Sequence, residues 1–270
     1  MPELPETFNL ARQMDVELKG RKVAAVEVRQ GKCLNTGVDE FKSLVEGKTF
    51  AGVRHRGKWV VADLEPGVLF LLSLGMGGDV LFHPTPQGLP PKYQVRFDFE
   101  DGAVLTMGFW WFGYAHAVPG DAAHTHKMTA ELGLDPLDSR TFTFTRFSEL
   151  LRKKRGAVKP VLMDQRCIAG IGNVYIQDIL FKARLHPDRP VPSISEAEMK
   201  SLYNTVVDVL STAAGLGGLA YEKDLYGRPG GFKDFLVGYR EGKPCPVCGG
   251  LIEKIKTGST ASFVCPGCQR

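Results

Sequence analysis

Met1-Pro2-Glu3-Leu4-Pro5-Glu6 opens the chain, and the rest is organised around this stretch. Leu4, Phe8, Ala11, Met14 and Leu18 recur at helical spacing and Gly20 suits an end, which predicts an amino-terminal helix. Loss of Met1 would leave Pro2 with a free secondary amine. An α-amine has a pKa of about 7.7–8.0, well below lysine, so more of it is neutral and able to attack an electrophilic carbon near pH 7. The positive end of the helix disfavours its cation further. Glu3 stands beside it as a proton donor. The structural alternative is a proline-led helix start whose glutamates complement the helix dipole. These six residues alone do not choose between the two.

Outward from this opening the pattern turns to strands. Residues 22–29, 49–54, 58–64, 68–74 and 79–83 follow at short intervals, and 93–100 and 103–108 flank Asp101-Gly102, a strong hairpin turn. Closely spaced strands of this kind predict an antiparallel β-sandwich or barrel ending near Val118. Residues 119–129 are rich in small and turn-forming types and read as an exposed linker. His124 and His126 lie there without a ligand cluster, so no metal site is expected. From Leu137 the chain reads as helical. Phe147, Leu150 and Leu151 form one apolar face, and Ser195 with Glu198 makes a capping box for a helix running to about Ala214. Residues 219–239 mix glycines, aromatics and charges with little periodicity and read as a flexible loop.

Four of the six cysteines form Cys245-Pro-Val-Cys248 and Cys265-Pro-Gly-Cys268, with sixteen residues between the pairs. This spacing is a zinc pattern, and four thiolates make a closed structural site for one zinc ion. Two disulfides are the competing reading, which the lack of a secretory segment disfavours. The net charge of +4 permits nucleic-acid binding without demanding it. Arg152-Lys153-Lys154-Arg155 is a local basic run, for which a solvated helix end is the plain alternative. Arg166-Cys-Ile-Ala-Gly-Ile-Gly-Asn173 joins two helical segments, and its glycines suit close approach to a phosphate. It reads equally as a tight helix–turn–helix connection. No signal peptide or membrane span is read, so a cytoplasmic protein is expected, or a nuclear one in a eukaryote.

Several stretches together resemble the formamidopyrimidine-DNA glycosylase/endonuclease VIII family. They are residues 1–6, the Lys58-Trp-Val-Val strand, Leu74-Gly-Met-Gly-Gly78, Lys159-Pro-Val-Leu-Met-Asp164, residues 170–175, His186-Pro-Asp-Arg189 and the four cysteines through Gln269. The resemblance implies an α+β protein of two domains. A helix and an antiparallel β-sandwich (1–118) would lead through a linker (119–136) to a helix–two-turn–helix domain (137–218). A flexible loop (219–239) and a four-cysteine zinc ribbon (240–270) would follow. It implies a monomeric repair enzyme acting on damaged double-stranded DNA, nucleoid-associated in a bacterium. The enzyme would excise a damaged base, oxidised bases being the expected class, and cut the abasic site by β-elimination. Pro2 would form the Schiff base and Glu3 would protonate the opened sugar, with Lys58 and Glu6 as further catalytic positions. Asn173 and Lys159 match phosphate ligands. Met76, Trp110 and Phe112 occupy the positions that fill the space left by the extruded base. The alternative is a damaged-DNA-binding protein on the same scaffold with little or no glycosylase activity.

The chain departs from the family pattern at three places. Phe109-Trp110-Trp111-Phe112-Gly113 replaces a basic stretch, putting Trp110 where an arginine reads the orphan base. A DNA-contacting histidine near Tyr93 is missing. Thr260 stands where a zinc-hairpin arginine grips phosphates. One of Trp110 and Trp111 is expected in the sandwich core, because adjacent strand residues face opposite ways.

Overall fold

The computed structural model describes residues 1–270, apart from the side chain of Ala123. The first helix, α1, spans Leu4–Leu18, and its Leu4, Leu10, Met14 and Leu18 are buried. Its start is a reciprocal capping box between Glu3 and Glu6. The chain leaves it at Gly20, whose φ of +84° suits glycine. Ten strands and five further α-helices follow among the described residues. They are β1 (Val23–Val28), α2 (Val38–Val45), β2 (Thr49–Arg56), β3 (Trp59–Glu65), β4 (Val68–Ser73), β5 (Asp79–His83), β6 (Val95–Phe99), β7 (Val104–Gly108) and β8 (Tyr114–Pro119), then α3 (Phe144–Arg152), α4 (Val158–Met163), α5 (Tyr175–Lys182), α6 (Glu196–Gly215), β9 (Glu253–Thr257) and β10 (Thr260–Val264). No helix among the described residues is long and apolar enough to cross a membrane.

The strands make two four-stranded antiparallel sheets, ordered β1-β6-β7-β5 and β2-β3-β4-β8, and a separate β9-β10 hairpin. Alternation along the strands sends Val60, Ala62, Leu64, Phe70, Leu72, Val95, Phe97 and Leu105 into one apolar core, which also takes Leu10, Met14 and Leu18 from α1. Phe41, Phe70 and Phe97 pack edge-on or tilted within it with centroids 5.1–6.4 Å apart. Truncating one of these rings to alanine costs about 3–5 kcal/mol.

The chain divides into two compact units. One comprises Met1–Glu131 and Leu216–Phe232, the other Leu132–Gly215 and Lys233–Arg270. This differs from the linear partition expected from the sequence. Residues 119–131 go with the sandwich instead of standing as a linker, and 216–232 return to it. The stretch read as a flexible loop is anchored on both sides of that boundary. In the first unit Leu225 is fully buried, and its carbonyl accepts from Phe82 N–H at 3.0 Å. In the second unit the Asp178 carboxylate accepts from the N–H groups of Leu236, Val237 and Gly238 at 2.9–3.1 Å. Low hydrophobic periodicity hid these polar anchors.

Candidate active site

Four of the residues singled out in the sequence gather at the head of α1. Pro2 is buried, Glu3 is 2% exposed and Glu6 is 7% exposed. Glu6 is a holding carboxylate. Its Oε2 accepts from Glu3 N–H at 2.7 Å and its Oε1 from Leu219 N–H at 2.9 Å. Gly218 is glycine for two reasons: φ is +87°, and a Cβ there would lie 2.6 Å from Glu6 Oε1. Through these two bonds Glu6 fixes the helix head to residues 218–219. Lys58 lies in the two-residue β2–β3 hairpin turn with Gly57, between the paired Arg56 and Trp59, and not at a strand start. Thr7 brings this turn to the helix head. Its Oγ1 donates within 2.7 Å of Gly57 O and 3.0 Å of Glu3 O.

Met76, Trp110 and Phe112 also come together. Met76 and Trp111 form an isolated bridge, with N–H···O distances of 2.8 and 3.3 Å. Gly75 permits it, because a Cβ there would sit 2.1 Å from Trp111 O. The Gln94 side chain holds the preceding residue from both sides, donating to Phe109 O at 2.9 Å and accepting from Phe109 N–H at 2.6 Å. On this fixed base Trp110, Trp111 and Phe112 are 81%, 65% and 66% exposed, and Met76 is 43% exposed. The expectation that one tryptophan enters the core is corrected. These residues lie beyond β7, where strand alternation has ended, and Phe112 takes a positive φ of 57°. Phe109 is the aromatic that goes inside.

In the second unit Asn173, Lys159 and the β9–β10 hairpin share one network. Gln177 Nε2 donates to Asn173 O at 2.9 Å, Asn173 Oδ1 at 3.1 Å and Ala261 O at 3.2 Å. Lys159 is 1% exposed, and its Nζ donates to Ala261 O at 2.6 Å and Ser262 Oγ at 2.8 Å. Burial pushes its amine down to about 8. Lys159 is thus a buried bolt between α4 and β10 and is not presented to a phosphate, which corrects the expectation for it. Thr260 begins β10 at the hairpin tip, half-buried, with its hydroxyl 3.4 Å from Thr257 O. The glycine turn is tied by Gln165, whose amide donates to Met163 O and Ile171 O and accepts from Gly170 N–H, each at 2.8 Å. Gln94, Gln165 and Gln177 all escaped the sequence reading, since a lone glutamine carries no pattern.

A further correction concerns His126. It is not a solvated loop residue: it is 9% exposed, with Nε2 2.9 Å from His116 Nδ1 and Nδ1 2.8 Å from Thr129 Oγ1. Trp59 packs against both rings. Burial and then the neighbouring His126 push His116 down to about 4, and burial lowers His126.

The four ribbon cysteines place their sulfurs within 4.8 Å of one another, with separations of 3.8 Å for Cys245–Cys268 and 3.3 Å for Cys248–Cys265. A tetrahedron of ~2.3 Å Zn–S bonds has edges of about 3.8 Å. The donor set fits one structural zinc ion, held by Cys245, Cys248, Cys265 and Cys268.

A helix-led antiparallel sandwich with proline at its second residue, joined to a helical unit with a four-cysteine ribbon, defines a narrow class. Comparison with known proteins agrees over the chain. Residues 1–108 match the Formamidopyrimidine-DNA glycosylase N-terminal domain, 132–223 the Formamidopyrimidine-DNA glycosylase H2TH domain, and 242–270 the zinc finger found in FPG and IleRS. The chain is 34% identical to the formamidopyrimidine-DNA glycosylase of Pelotomaculum thermopropionicum, over 100% of this chain and 99% of that protein. It is 35% identical to that of Roseiflexus sp., over the whole of both chains. Among solved structures, the Lactococcus lactis enzyme in complex with DNA containing N7-benzyl-Fapy-dG matches with a TM-score of 0.90 at 26% identity over 100% of both chains. The complex of that enzyme with DNA containing an abasic site matches with a TM-score of 0.90 over 99% of each. The chain belongs to the formamidopyrimidine-DNA glycosylase family.

Proposed function

We propose that this protein is a bifunctional DNA glycosylase and abasic-site lyase of base-excision repair. It removes a damaged, oxidised base from duplex DNA and cuts the strand at the sugar left behind. The observation that carries this reading is Pro2 buried at the head of α1, beside the 2%-exposed Glu3, on a helix whose Thr7 holds the β2–β3 turn at Gly57. The Lactococcus lactis relative, solved with DNA containing Fapy-dG, an oxidised pyrimidine or an abasic site, supports the substrate class.

Loss of Met1 frees the Pro2 nitrogen. After base departure this nitrogen bonds C1′, and Glu3 protonates the sugar oxygen as the ring opens. The resulting iminium acidifies the C2′ hydrogen, and β-elimination expels the 3′ phosphate. Extruding the base costs a few kcal/mol, least for a damaged pair. Trp110, Trp111, Phe112 and Met76 offer an apolar surface for the bases around the gap. Asn173 can donate its amide N–H to a phosphate oxygen, since its amide oxygen already accepts from Gln177. The protein acts as a monomer, in the compartment that holds the chromosome.

The test is strand cleavage on end-labelled duplexes carrying ring-opened guanine, oxidised pyrimidines or a pre-formed abasic site. Cleavage at lesion and abasic site supports the reading. Tight binding to lesion DNA without cleavage of either substrate would replace it with the binding-protein alternative.

A further inference from the structure

Residues 219–232 bring an acid to the N-terminal amine that the reaction described above does not use. Glu222 Oε1 lies 3.3 Å from the Met1 amino nitrogen, and the Glu222 side chain is 10% exposed. Its backbone is fixed on both sides, the N–H donating to Leu219 O at 3.1 Å and the carbonyl accepting from Gly230 N–H at 3.3 Å. Leu219 is in turn held by Glu6, and Leu225 is buried in the sandwich core. The carboxylate is therefore held by the framework of the first unit and not by a free loop tip.

The amine seen here belongs to Met1. Removal of Met1 hands the role to Pro2, one residue along, and one residue spans at most about 3.6 Å. The Met1 amine thus stands in for the Pro2 secondary amine within a residue's reach of Glu222. The charged groups around Glu222 are Glu6 from α1, Asp79 from β5 and the amine itself. Lys223 beside it is engaged by Asp79 at 3.0 Å. Burial raises the proton affinity of Glu222, the amine opposes that, and Glu6 and Asp79 add to it.

We propose that Glu222 is a catalytic residue of the Schiff-base step, taking the proton from the Pro2 amine while Glu3 serves the sugar oxygen. This rests on Pro2 being the nucleophile. At the abasic aldehyde Pro2 begins as a secondary ammonium ion, and Glu222 accepts one of its protons. The freed lone pair forms the N–C1′ bond as the carbonyl π pair moves to oxygen. That oxygen takes a proton from Glu3, which recovers one from nitrogen. The C1′ hydroxyl then leaves as water with the proton held by Glu222, and the nitrogen lone pair closes the iminium. Both carboxyl groups end as they began, and the sum is ammonium plus aldehyde giving iminium plus one water.

The experiment compares the unaltered protein with Glu222→Gln, each shown by intact mass to begin at Pro2. Single-turnover cyanoborohydride trapping on an abasic duplex is followed from about pH 6 to about pH 9, across the titration of an α-amine. Binding to a duplex with a tetrahydrofuran abasic analogue is measured in parallel. Loss of a proton acceptor should slow trapping by roughly 10²-fold near neutrality. The deficit should shrink as pH rises and the amine deprotonates unaided, with binding unchanged. Superimposable pH profiles would overturn the inference while leaving Pro2 chemistry intact. Equal loss of binding and trapping at every pH would overturn it in favour of a structural role. Failure of the unaltered protein to trap at all would overturn both this inference and the reading it rests on.

Discussion

Replacing Lys159 with methionine separates a phosphate ligand from a structural bolt. The folded protein holds this amine at about 8 against an ordinary 10.5, through burial. Keeping it charged at neutral pH therefore costs roughly 3 kcal/mol, at 1.36 kcal/mol per unit. Two hydrogen bonds from a charged donor return roughly 1.5–3 kcal/mol each. Methionine removes both sides of this balance and orphans neither acceptor. Ala261 O still accepts from Gln177 at 3.2 Å, and Ser262 Oγ still donates to Thr257 Oγ1 at 2.9 Å. Stability at neutral pH should change by no more than about 1–2 kcal/mol, as when an apolar group of similar shape replaces a bonded pair. The pH dependence has a definite sign. Between pH 8 and 10.5 the unfolded chain keeps a proton that the folded chain has shed. Stability of the unaltered protein should thus rise with pH relative to the variant, by up to roughly 3 kcal/mol. Denaturant melts at both ends of that window measure it. Anisotropy titrations with an abasic-analogue duplex, at several salt concentrations, supply the functional half. A buried bolt predicts an unchanged salt slope, whereas losing a phosphate ligand would lower it by about 0.9. A slope reduced by that amount, or an unaltered protein that loses stability relative to the variant as pH rises from 8 to 10.5, would refute the reasoning.

Three further outcomes follow from the site. Trp110→Ala should leave stability nearly untouched, because the ring is 81% exposed, yet weaken binding to DNA with an unpaired base. Stacking worth roughly 1–3 kcal/mol corresponds to about 5- to 150-fold in affinity. Opposite-base preference of the unaltered protein should be weak, and a hundredfold preference, well beyond single-stack differences, would contradict stacking. Thr260 is uncharged and sits at the ribbon tip, so a pre-formed abasic site should give mainly β-elimination product, shifting towards β,δ-product in Thr260→Arg. Denaturing gels of end-labelled strands decide it, and predominant δ-product from the unaltered protein would show that Thr260 is not limiting. The His116–His126 pair shares an N–H···N bond that needs a neutral acceptor. As pH falls through 6.5 the unfolded chain takes protons that the folded chain refuses, until His116 titrates at about 4. Acid should cost up to roughly 3 kcal/mol across that window, and melts of His116→Gln should flatten the dependence. A wild-type curve that is level there would contradict the buried pair.

What was legible in the sequence followed from periodicity and spacing. The 3.6-residue repeat of Leu4 to Leu18 marked α1, alternation marked β1 to β7, and the Ser195–Glu198 box marked the start of α6, where its bonds are 2.8 and 3.3 Å. The cysteine spacing located the zinc ligands. What stayed hidden were contacts between residues distant in sequence. Lys159 gave no sign of its burial, because the carbonyl that receives it lies at Ala261. Glu222 and Leu225 sat in a stretch without pattern, although one reaches the terminal amine and the other the core. Trp110 and Trp111 defeated the alternation rule because β7 stops at Gly108.

The most direct measurement is borohydride trapping on abasic duplex DNA, followed by peptide mapping of the adduct. One sample begins at Pro2 and the other retains Met1. The expected result is an adduct on the Pro2 nitrogen in the first sample and none in the second, where that nitrogen is acylated. Equal trapping with Met1 in place would contradict Pro2 as the nucleophile.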